Sequence, residues 1–423
     1  MRNTRLVIIG SGFGGLNVAK ALKKNNLEIT LIDKSNHHLF QPLLYQVATA
    51  ALSPAEIAYP IREVFRNQKN TMVIMGEAVH IDKEKKQVIL GNGDIVEYDY
   101  LVIATGSRHS YFGNDQWESL APGLKTISDA LNIREHILMS FEKAERTNSP
   151  EERSKYLNFV IIGGGPTGVE MAGAIAEIAR TTLYGNFRRI QPEKSKIFLI
   201  EGLPHILPSY SEKLSLSART DLDHLGVHVI TGKKVTNITS EGVQVEDLFI
   251  ESINVIWAAG NEASPLLKTL EVPLDRQGRV IVGADLSIPN HPEIFIIGDA
   301  SHSKNPEDKP LPGTATVALQ QGKYVARLLK KLIPPSERPP FQYHDKGSMA
   351  TIGKGKAIAA IGKLEFTGLL AWLMWGLIHI AYLVGFRSRF GVLIEWIIVF
   401  TTGQRGVRLI TKSIDSELPH KKP

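Results

Sequence analysis

The sequence contains no cysteine among its 423 residues, which excludes disulfide bonds, thiolate metal sites and redox dithiol chemistry. Its N-terminus, "MRNTRLVIIGSG", has too few consecutive apolar residues for a signal-peptide core, so we expect the chain to stay in the compartment where it is made. The sequence has no basic stripe interleaved with aromatic residues, and the adjacent His37 and His38 would face opposite ways on a strand. We therefore expect neither a nucleic-acid partner nor a metal site.

The remaining composition is that of a globular protein, with 43% apolar and 22% charged residues. The length is sufficient for two or three domains, each with its own core. The formal net charge of +6 suits an anionic surface such as lipid headgroups or phosphates.

The first glycine-rich segment follows a short apolar run, "RLVIIG" (5–10), that is typical of a buried parallel strand. Gly10 allows a tight turn, Gly12 allows a pyrophosphate to approach the backbone, and Gly15 allows the following helix to pack closely on the strand. The N-terminus of that helix offers free N–H groups to phosphates. A second strand ends at Asp33, which is placed to accept a hydrogen bond from a ribose hydroxyl. These features predict a dinucleotide site that includes Gly10, Ser11, Gly12, Gly14, Gly15, Asp33 and Lys34.

The same pattern recurs in "NFVIIGGGPTGVEMAGAIAEIA" (158–179), and a second strand, "KIFLIEG", follows and contains Glu201. The segment "GLPH" after Glu201 has no Arg or Lys to hold a 2′-phosphate, which favours NADH over NADPH. The residues expected at this second dinucleotide are Gly163, Gly165, Pro166, Thr167, Gly168 and Glu201.

Two dinucleotide sites in one chain favour a flavin that is held permanently and a nicotinamide that comes and goes. Two further strand ends, in "YDYLVIATGS" and "EIFIIGDAS", support a flavin at the first site, and "VIWAAG" is the second-domain counterpart of the first of them. In two-dinucleotide flavoproteins the aspartate of "GDAS" bonds the ribityl and phosphate region of the flavin. These segments add Ala104, Thr105, Gly106 and Asp299 to the flavin site and Gly260 to the nicotinamide site.

Segments throughout the chain resemble the type II NADH:quinone oxidoreductases, single-chain FAD-containing enzymes that do not pump protons. The resemblance is carried by "HLFQPLLYQVATAALSP" (38–54), "GGGPTGVEMAG" (163–173), "GDAS" (298–301), "VALQQGKYVA" (317–326) and "FRSRFGVLIEW" (386–396). It implies an α/β fold with two Rossmann-like domains, the NADH domain inserted into the FAD domain, and a C-terminal amphipathic helical part that anchors the enzyme on a membrane. The implied limits are 1–115 with 275–345 for the FAD domain, 116–274 for the NADH domain and 346–423 for the membrane-association region.

The resemblance implies hydride transfer from NADH to FAD and transfer of two electrons to a membrane quinone. A helix that begins near Thr314–Ala315 would direct its positive end at the flavin, a stabilisation of roughly 0.3–2 kcal/mol for the reduced form. Ala315 and Val79 are therefore assigned to the FAD site as well.

Glu170 and Gln320 are the candidate catalytic residues near the quinone. Glu170 lies in the first turn of its predicted helix, where its alternative role is to complement the helix dipole. Gln320 could equally be a structural residue that bonds the nearby backbone. The family often has Ala-Gln-x-x-x-Gln in this helix, and here Thr316 replaces the first glutamine, which leaves the details of quinone contact open.

The segment "FTGLLAWLMWGLIHIAYLVGF" (366–386) contains no formally charged residue and is long enough for a helix that spans a bilayer. On a helical wheel Leu369, Leu370, Leu373, Leu377, Ile380, Ala381 and Val384 gather on one half, and Trp372, Trp375, His379 and Tyr382 on the other. Aromatic residues in the middle of the segment favour a helix that lies flat in the membrane interface. A spanning helix and a helix buried at a dimer contact are the alternatives.

Several basic residues flank this segment and the apolar stretch at 390–400, and we expect them to meet anionic lipid. They are Arg387, Arg389, Arg405, Arg408 and Lys412. The expected partners are therefore NADH, a membrane quinone and an anionic lipid surface, with a homodimer left open. The expected location is the cytoplasmic face of the membrane, as a peripheral (monotopic) protein.

Other two-dinucleotide flavoproteins are the alternatives within enzymes. Flavin disulfide reductases and sulfide:quinone reductases use cysteine pairs, so the absence of cysteine argues against both. A ferredoxin-reductase-like enzyme stays open, although the hydrophobic C-terminus does not suit a soluble partner. A membrane-bound NADH sensor with little turnover is the alternative outside enzymes, and the altered glutamine motif is the feature that points to it.

Overall fold

The computed structural model describes residues 4–411. Its α-helices are, in chain order, α1 Phe13–Ala21, α2 Leu44–Ala48, α3 Pro54–Ile57, α4 Ile61–Phe65, α5 Ile127–Arg146, α6 Pro150–Leu157, α7 Pro166–Glu177, α8 Glu212–His224, α9 Ala315–Lys331, α10 Gly368–Tyr382 and α11 Phe386–Thr402. Its strands are β1 Arg5–Ile9, β2 Glu28–Asp33, β3 His37–Leu39, β4 Ala58–Pro60, β5 Thr71–Met75, β6 Ala78–Asp82, β7 Gln87–Leu90, β8 Ile95–Glu97, β9 Tyr100–Ile103, β10 Ser107–His109, β11 Asn158–Ile162, β12 Lys196–Glu201, β13 Val227–Thr231, β14 Val235–Thr239, β15 Gly242–Val245, β16 Leu248–Glu251, β17 Asn254–Trp257, β18 Asn261–Ala263, β19 Val280–Ile281, β20 Ser287–Ile288, β21 His291–Ile296, β22 Ser301–His302, β23 Ser348–Gly353, β24 Lys356–Ile361 and β25 Leu364–Thr367.

The chain divides into two compact units. The first comprises Met1–Leu39, Ala58–Arg108 and Asn261–Lys346, and the second comprises Phe40–Ile57, His109–Gly260 and Gly347–Pro423. The limits implied by the sequence placed residues 40–57 in the FAD domain and set the C-terminal region apart. Both segments group with the second unit because α2 packs against α5 and α7, and β23 packs against α7.

The first unit is built on a six-stranded sheet in the order β20-β21-β9-β1-β2-β5, in which the strands from β21 to β5 run parallel. The apolar run of β1 is buried from Leu6 to Ile9, as expected for a central strand covered on both faces. Because the central strands are parallel, their carboxyl ends meet at one edge. Gly10, Asp33 and Ala104 therefore lie at neighbouring strand ends.

The second unit repeats this plan with a parallel sheet in the order β13-β12-β11-β17. Gly163 and Glu201 follow or end the two central strands, as Gly10 and Asp33 do in the first unit. The strands and turns predicted at both glycine motifs are confirmed. They could be predicted because apolar runs and glycine turns depend on residues that are close together in the sequence.

The C-terminal region of the second unit is an antiparallel sheet of β23, β24 and β25 with α10 packed on β24. Its small core contains Ala357, Ala359 and Ala371. This C-terminal region packs tightly against α7, because a Cβ at Gly173 of α7 would lie 1.8 Å from the Ile352 backbone oxygen. This contact fixes α7, and with it Glu170, against the region that leads to α10 and α11.

The prediction of one helix over 366–386 is wrong. Residues 366 and 367 end β25, α10 ends at Tyr382, and α11 begins at Phe386. The chain turns because the buried Leu383 is extended and Gly385 adopts φ +88°, a conformation that favours glycine. Arg389 caps the end of α10 by donating to the carbonyl oxygens of Ala381 and Leu383. Within residues 4–411, no helix combines the length and apolarity needed to cross a membrane.

The aromatic half of α10 packs against the rest of the second unit. The expectation that Trp375 and His379 lie at the lipid headgroups is therefore corrected. Trp375 is 2% exposed and lies against Trp396, with ring centroids 5.1 Å apart. His379 stacks on Trp375, and burial lowers the pKa of His379 to about 4, so the ring is neutral. Tyr382, by contrast, is exposed.

The predicted lipid contact of Arg405 is also corrected. Arg405 is buried and pairs with Glu177 at 2.8 Å while it donates to the Thr49 backbone oxygen at 2.7 Å. Arg389 is exposed and bonds the end of α10, and its lipid contact stays a prediction. Arg387 is exposed, and Lys412 lies outside the described residues.

Candidate active site

The glycines of the first loop divide into two kinds. A Cβ at Gly10, where φ is +99°, would lie 2.3 Å from the Ala104 backbone oxygen, and one at Gly15 would lie 1.9 Å from the Gly10 oxygen. A Cβ at Gly12, in contrast, would meet no protein atom within 4 Å. Gly10 and Gly15 are therefore required by the fold itself, whereas Gly12 borders open space suited to a phosphate group.

Asp33 holds the first loop in shape. One carboxylate oxygen accepts hydrogen bonds from the Ser11 backbone N–H at 2.6 Å and the Ser11 hydroxyl at 2.7 Å, and the other accepts from the Ser35 backbone N–H at 2.8 Å. The buried His38 ring bonds the Ser11 carbonyl at 2.8 Å. The Ser35 hydroxyl donates to the same Asp33 oxygen as the Ser35 N–H, at 2.7 Å. A carboxylate has about four acceptor sites, so a ribose hydroxyl would bind Asp33 by replacing one of the two serine hydroxyls.

Two polar groups suit a cofactor in the first unit. The Thr105 hydroxyl is buried and has no hydrogen-bond partner among residues 4–411, a costly state that a bound ligand relieves. Asp299 accepts a hydrogen bond from the Ser107 hydroxyl at 2.8 Å and lines a cavity of about 120 Å³ with Gly298 and Gly313. These residues fit the dinucleotide expected from the sequence.

The predicted helix start at Thr314–Ala315 is confirmed, since α9 begins at Ala315. The N-cap residue, Thr314, makes no side-chain capping hydrogen bond. The first-turn N–H groups therefore remain available to a ligand. Gly106 adopts φ +67° in the turn after β9. Lys34 and Val79 are both exposed, and their expected cofactor contacts stay predictions.

Gln320 occupies the structural role that the sequence left open. Its amide donates to the His344 carbonyl at 2.8 Å and accepts from the His344 N–H at 3.0 Å. Thr316, at the position of the replaced glutamine, bonds the Tyr343 hydroxyl at 3.0 Å. The catalytic assignment of Gln320 stays a prediction.

Gln321, which the sequence analysis missed, is the fully buried glutamine of α9. It accepts from the Gly298 N–H at 2.6 Å and donates to the Ser303 hydroxyl at 2.8 Å, so it holds the turn that carries Asp299. The doubled glutamine in "ALQQGK" was a weak signal, because neighbouring helical positions point about 100° apart and one of the two can fall on the packed face.

The second glycine loop repeats the first in detail. A Cβ at Gly163, where φ is +109°, would lie 2.7 Å from the Ala258 carbonyl carbon, and one at Gly168 would lie 1.8 Å from the Gly163 oxygen. Gly165 meets no atom within 4 Å and caps α7, where Pro166 and Thr167 form the first turn. Proline suits this position because its missing N–H would be unpaired there.

Glu201 is the counterpart of Asp33. It accepts from the Gly164 N–H at 2.7 Å and from the Leu203 N–H at 2.8 Å. Gly260 closes the corresponding turn after β17 with φ +73°, and a Cβ there would lie 2.6 Å from the Phe112 ring. Both expected dinucleotide sites therefore share three features. One glycine borders open space, two glycines leave no room for a side chain, and a carboxylate accepts hydrogen bonds from backbone N–H groups.

Glu170 lies one turn into α7 and lines a cavity of about 240 Å³ in the second unit. The wall of this cavity is mostly apolar and includes five aromatic residues: Tyr45, Trp372, Trp375, Trp396 and Phe400. Burial raises the pKa of Glu170 well above its usual range, although a hydrogen bond from the Thr351 backbone opposes the shift. This shift favours the protonated form of Glu170, which lies at the side of an apolar cavity and can supply a proton in that form.

The fold and the paired loops define a two-dinucleotide oxidoreductase. The pyridine nucleotide-disulphide oxidoreductase family model matches residues 4–322, and the NDH2 C-terminal domain model matches residues 345–405. The solved structure of NDH2 from Plasmodium falciparum in complex with NADH has the same fold, with a TM-score of 0.88 and 23% identity over 97% of this chain and 100% of that chain. A sulfide:quinone oxidoreductase of Aquifex aeolicus also shares the fold, with a TM-score of 0.73 at 19% identity over 94% of this chain and 95% of that chain.

Sequence similarity narrows the class. The type II NADH:quinone oxidoreductase Ndh of Mycobacterium tuberculosis is 46% identical, over 97% of this chain and 91% of its own length. NdhA of the same organism is 43% identical, over 97% of this chain and 90% of its own length. This chain belongs to the type II NADH:quinone oxidoreductase family, and the resemblance stated from the sequence is confirmed.

Proposed function

We propose that this chain oxidises NADH at the second glycine loop and reduces a membrane quinone in the cavity beside Glu170. The observation that carries the proposal is the cavity itself, which brings the carboxyl group of Glu170 together with aromatic residues of α10 and α11. Bound FAD supplies the electron transfer, since it accepts a hydride from NADH and passes two electrons to the quinone. The overall reaction follows from family membership, and the assignment of its parts to residues is the proposal.

The first loop is proposed to hold FAD. Gly12 leaves room for the pyrophosphate, Asp33 receives the ribose, and Thr105 gains a partner for its buried hydroxyl. Asp299 accepts a hydrogen bond from Ser107, and Gln321 accepts one from the neighbouring Gly298 N–H, so Asp299 is held in place for the ribityl region.

The second loop is proposed to hold NADH through Gly165 and Glu201. The carboxylate of Glu201 is fixed by two backbone N–H groups, so its position is set before the substrate arrives. An added 2′-phosphate would place negative charge beside this carboxylate, which favours NADH over NADPH.

Reduction of a quinone to a quinol consumes two electrons and two protons. The hydride of NADH supplies both electrons and one of the protons. Glu170 is proposed to donate the other proton to a carbonyl oxygen of the quinone and to recover it from water. Its raised pKa favours the protonated form, which is the state that a donor needs.

The exposed apolar residues of α10 and α11 are proposed to dock the enzyme on lipid without crossing it. We call this set the C-terminal apolar surface, and it consists of Leu369, Leu370, Leu373, Leu377, Phe386, Phe390, Leu393, Ile394, Ile397 and Ile398, all at least 40% exposed. An exposed apolar area of this kind marks an interaction site. Trp372 and Trp396 lie on the same helices and line the cavity, so a quinone dissolved in lipid has a short route to Glu170. The cytoplasmic face is the proposed side, and a homodimer stays a prediction.

The proposal is tested with purified protein, NADH and a decyl-substituted benzoquinone. Glu170→Gln should leave the reduction of FAD by NADH unchanged in anaerobic stopped-flow experiments and lower quinone turnover by about a hundred-fold or more. Glu201→Gln should raise the KM for NADH and narrow the preference over NADPH, which separates the two sites. Full quinone turnover in Glu170→Gln would contradict the assignment of the cavity.

The ferredoxin-reductase-like alternative gains no specific support. A solved ferredoxin reductase of Rhodopseudomonas palustris shares the fold, with a TM-score of 0.66 at 19% identity over 90% of this chain and 96% of that chain. The C-terminal apolar surface has no role with a soluble acidic partner. Reduction of a soluble ferredoxin faster than quinone would nevertheless favour it.

A further inference from the structure

Three side chains of the second unit form a hydrogen-bonded chain that ends at the cavity. Trp396 Nε1 donates to Gln46 Oε1 at 2.8 Å, and Gln46 Nε2 donates to the Tyr45 hydroxyl oxygen at 2.8 Å. Tyr45 and Gln46 are buried, and all three residues line the same cavity as Glu170. Trp396 belongs to α11, whose outer residues Leu393 and Ile397 are part of the C-terminal apolar surface.

The chemistry of these groups fixes the direction of the chain. An indole N–H can only donate, so the oxygen of the Gln46 amide must face Trp396. The amide nitrogen must then face Tyr45, and because an NH₂ group can only donate, the tyrosine oxygen is the acceptor. The hydroxyl proton of Tyr45 is left to be donated elsewhere, and no acceptor for it is recorded among residues 4–411.

From this polarity we infer that Tyr45 is a hydrogen-bond donor to a carbonyl oxygen of the quinone, and that Gln46 and Trp396 are positioning residues that point its proton into the cavity. The inference rests on the proposed function of the cavity and adds a second polar contact to that of Glu170. A quinone has two carbonyl oxygens, so two donors on the cavity wall match its chemistry. Burial, and then the nearby Glu170, raise the pKa of Tyr45 well above its usual range, so the hydroxyl stays protonated.

Gln46→Glu tests the direction with little change in shape. An ionised carboxylate still accepts from Trp396, but it also accepts from Tyr45, which reverses the last hydrogen bond and removes the donor from the quinone. Tyr45→Phe removes the same donor directly. Each variant should lower kcat/KM for the decyl benzoquinone about three- to ten-fold, the loss expected for one neutral hydrogen bond. FAD reduction by NADH should not change.

Two readouts separate this role from a general effect of structure or charge. The double variant should be no worse than Tyr45→Phe alone, because both changes remove one interaction. The loss in Gln46→Glu, taken relative to the wild type at each pH, should shrink as the pH falls, since a protonated carboxyl group can donate to Tyr45 and restores the original direction. Glu170, Glu177 and Arg405 line the same cavity and are present in both proteins, so the variant is compared with the wild type at each pH.

Tyr324→Phe is the matched control, since it removes a tyrosine hydroxyl that bonds the Pro339 carbonyl away from the cavity, and it should leave kcat/KM unchanged. If Gln46→Glu does not fold, Trp396→Phe frees the amide to turn over and should give about a two-fold loss. Additive losses in the double variant, or full activity of Tyr45→Phe, would overturn the inference. A wild-type enzyme that reduces FAD but not the quinone would instead overturn the proposed function.

Discussion

At the scale of single residues, the two glycine loops separate positions that serve the fold from positions that serve a ligand. Gly15 lies against its own loop, where a Cβ would be 1.9 Å from the Gly10 oxygen, whereas Gly12 borders open space. The sequence motif predicts these different roles from the position of each glycine, and the structure gives the space around each one. The structure therefore assigns them opposite consequences on substitution.

Gly12→Val should fold and lose FAD. The added side chain meets no protein atom at Cβ but occupies the space proposed for the pyrophosphate. Gly15→Val should fail to fold, because the clash is with backbone. Flavin absorbance near 450 nm and far-UV circular dichroism distinguish the two outcomes. A yellow, folded Gly12→Val protein would show that the first loop does not hold the dinucleotide.

Glu170 should make both stability and turnover depend on pH. Its folded pKa is raised, so the folded state binds more protons than the unfolded state between the ordinary glutamate pKa and the folded one. Its contribution to stability is therefore fully present below the ordinary pKa and is lost as the pH rises through the folded pKa. Glu170→Gln should remove this component from thermal melts recorded across pH. Quinone turnover of the wild type should fall as the pH rises through the same folded pKa. If the melting temperature of the variant depends on pH in the same way as that of the wild type, the raised pKa is contradicted.

At the scale of elements, α7 connects the dinucleotide loop to the C-terminal region. Its N-terminus carries Gly165, its second turn carries Glu170, and its last residue, Glu177, accepts from Arg405 at 2.8 Å and from the Lys354 N–H at 2.6 Å. One helix therefore positions the proposed NADH and quinone sites relative to each other within the second unit.

Breaking the Arg405–Glu177 pair should destabilise the second unit. Arg405→Met leaves a carboxylate without its partner in a largely buried place, a cost of about 3 kcal/mol, and should lower the melting temperature by several degrees. Arg405→Met combined with Glu177→Met should cost less than Arg405→Met alone. Lys213→Met breaks the exposed pair with Glu365 and serves as the control, with an expected effect of about 0.5 kcal/mol or less. Equal melting temperatures for Arg405→Met and the control would contradict this role.

The pairing of α10 and α11 could not be predicted from periodicity. The segment at 366–386 has uniform apolarity, so its hydrophobic pattern gives no sign of where a helix ends. Gly385 was a signal for the break, because glycine favours the positive φ found there. The inward position of Trp375 depends on Trp396, which is a contact between separate helices and is not coded within either one.

At the scale of the whole molecule, the C-terminal apolar surface is expected to decide where the enzyme works. Leu377 is 73% exposed, so a charge there should not disturb folding. Leu377→Lys should move the protein from the membrane pellet to the supernatant, since a charge on a lipid-facing residue costs up to a few kcal/mol. FAD reduction by NADH should persist, while reduction of native membrane quinone should fall.

The control for this experiment is Leu216→Lys, which changes a leucine of α8 that is 64% exposed and lies outside the C-terminal apolar surface. It should remain with the membranes like the wild type. Release of both variants would indicate a general effect of charge, and retention of Leu377→Lys in the pellet would contradict lipid docking through α10.

The sequence by itself determined the two dinucleotide loops, the absence of cysteine chemistry, the family, and the presence of an apolar C-terminal region. These are local properties, because a strand, a glycine turn and a helix start are specified within about 30 residues. Only the tertiary structure decided the cavity at Glu170, the burial of Arg405 and the Trp396–Gln46–Tyr45 chain. Trp396 and Gln46 are 350 residues apart in sequence, and such contacts depend on how α2, α7 and α11 pack together, which no short stretch of sequence encodes.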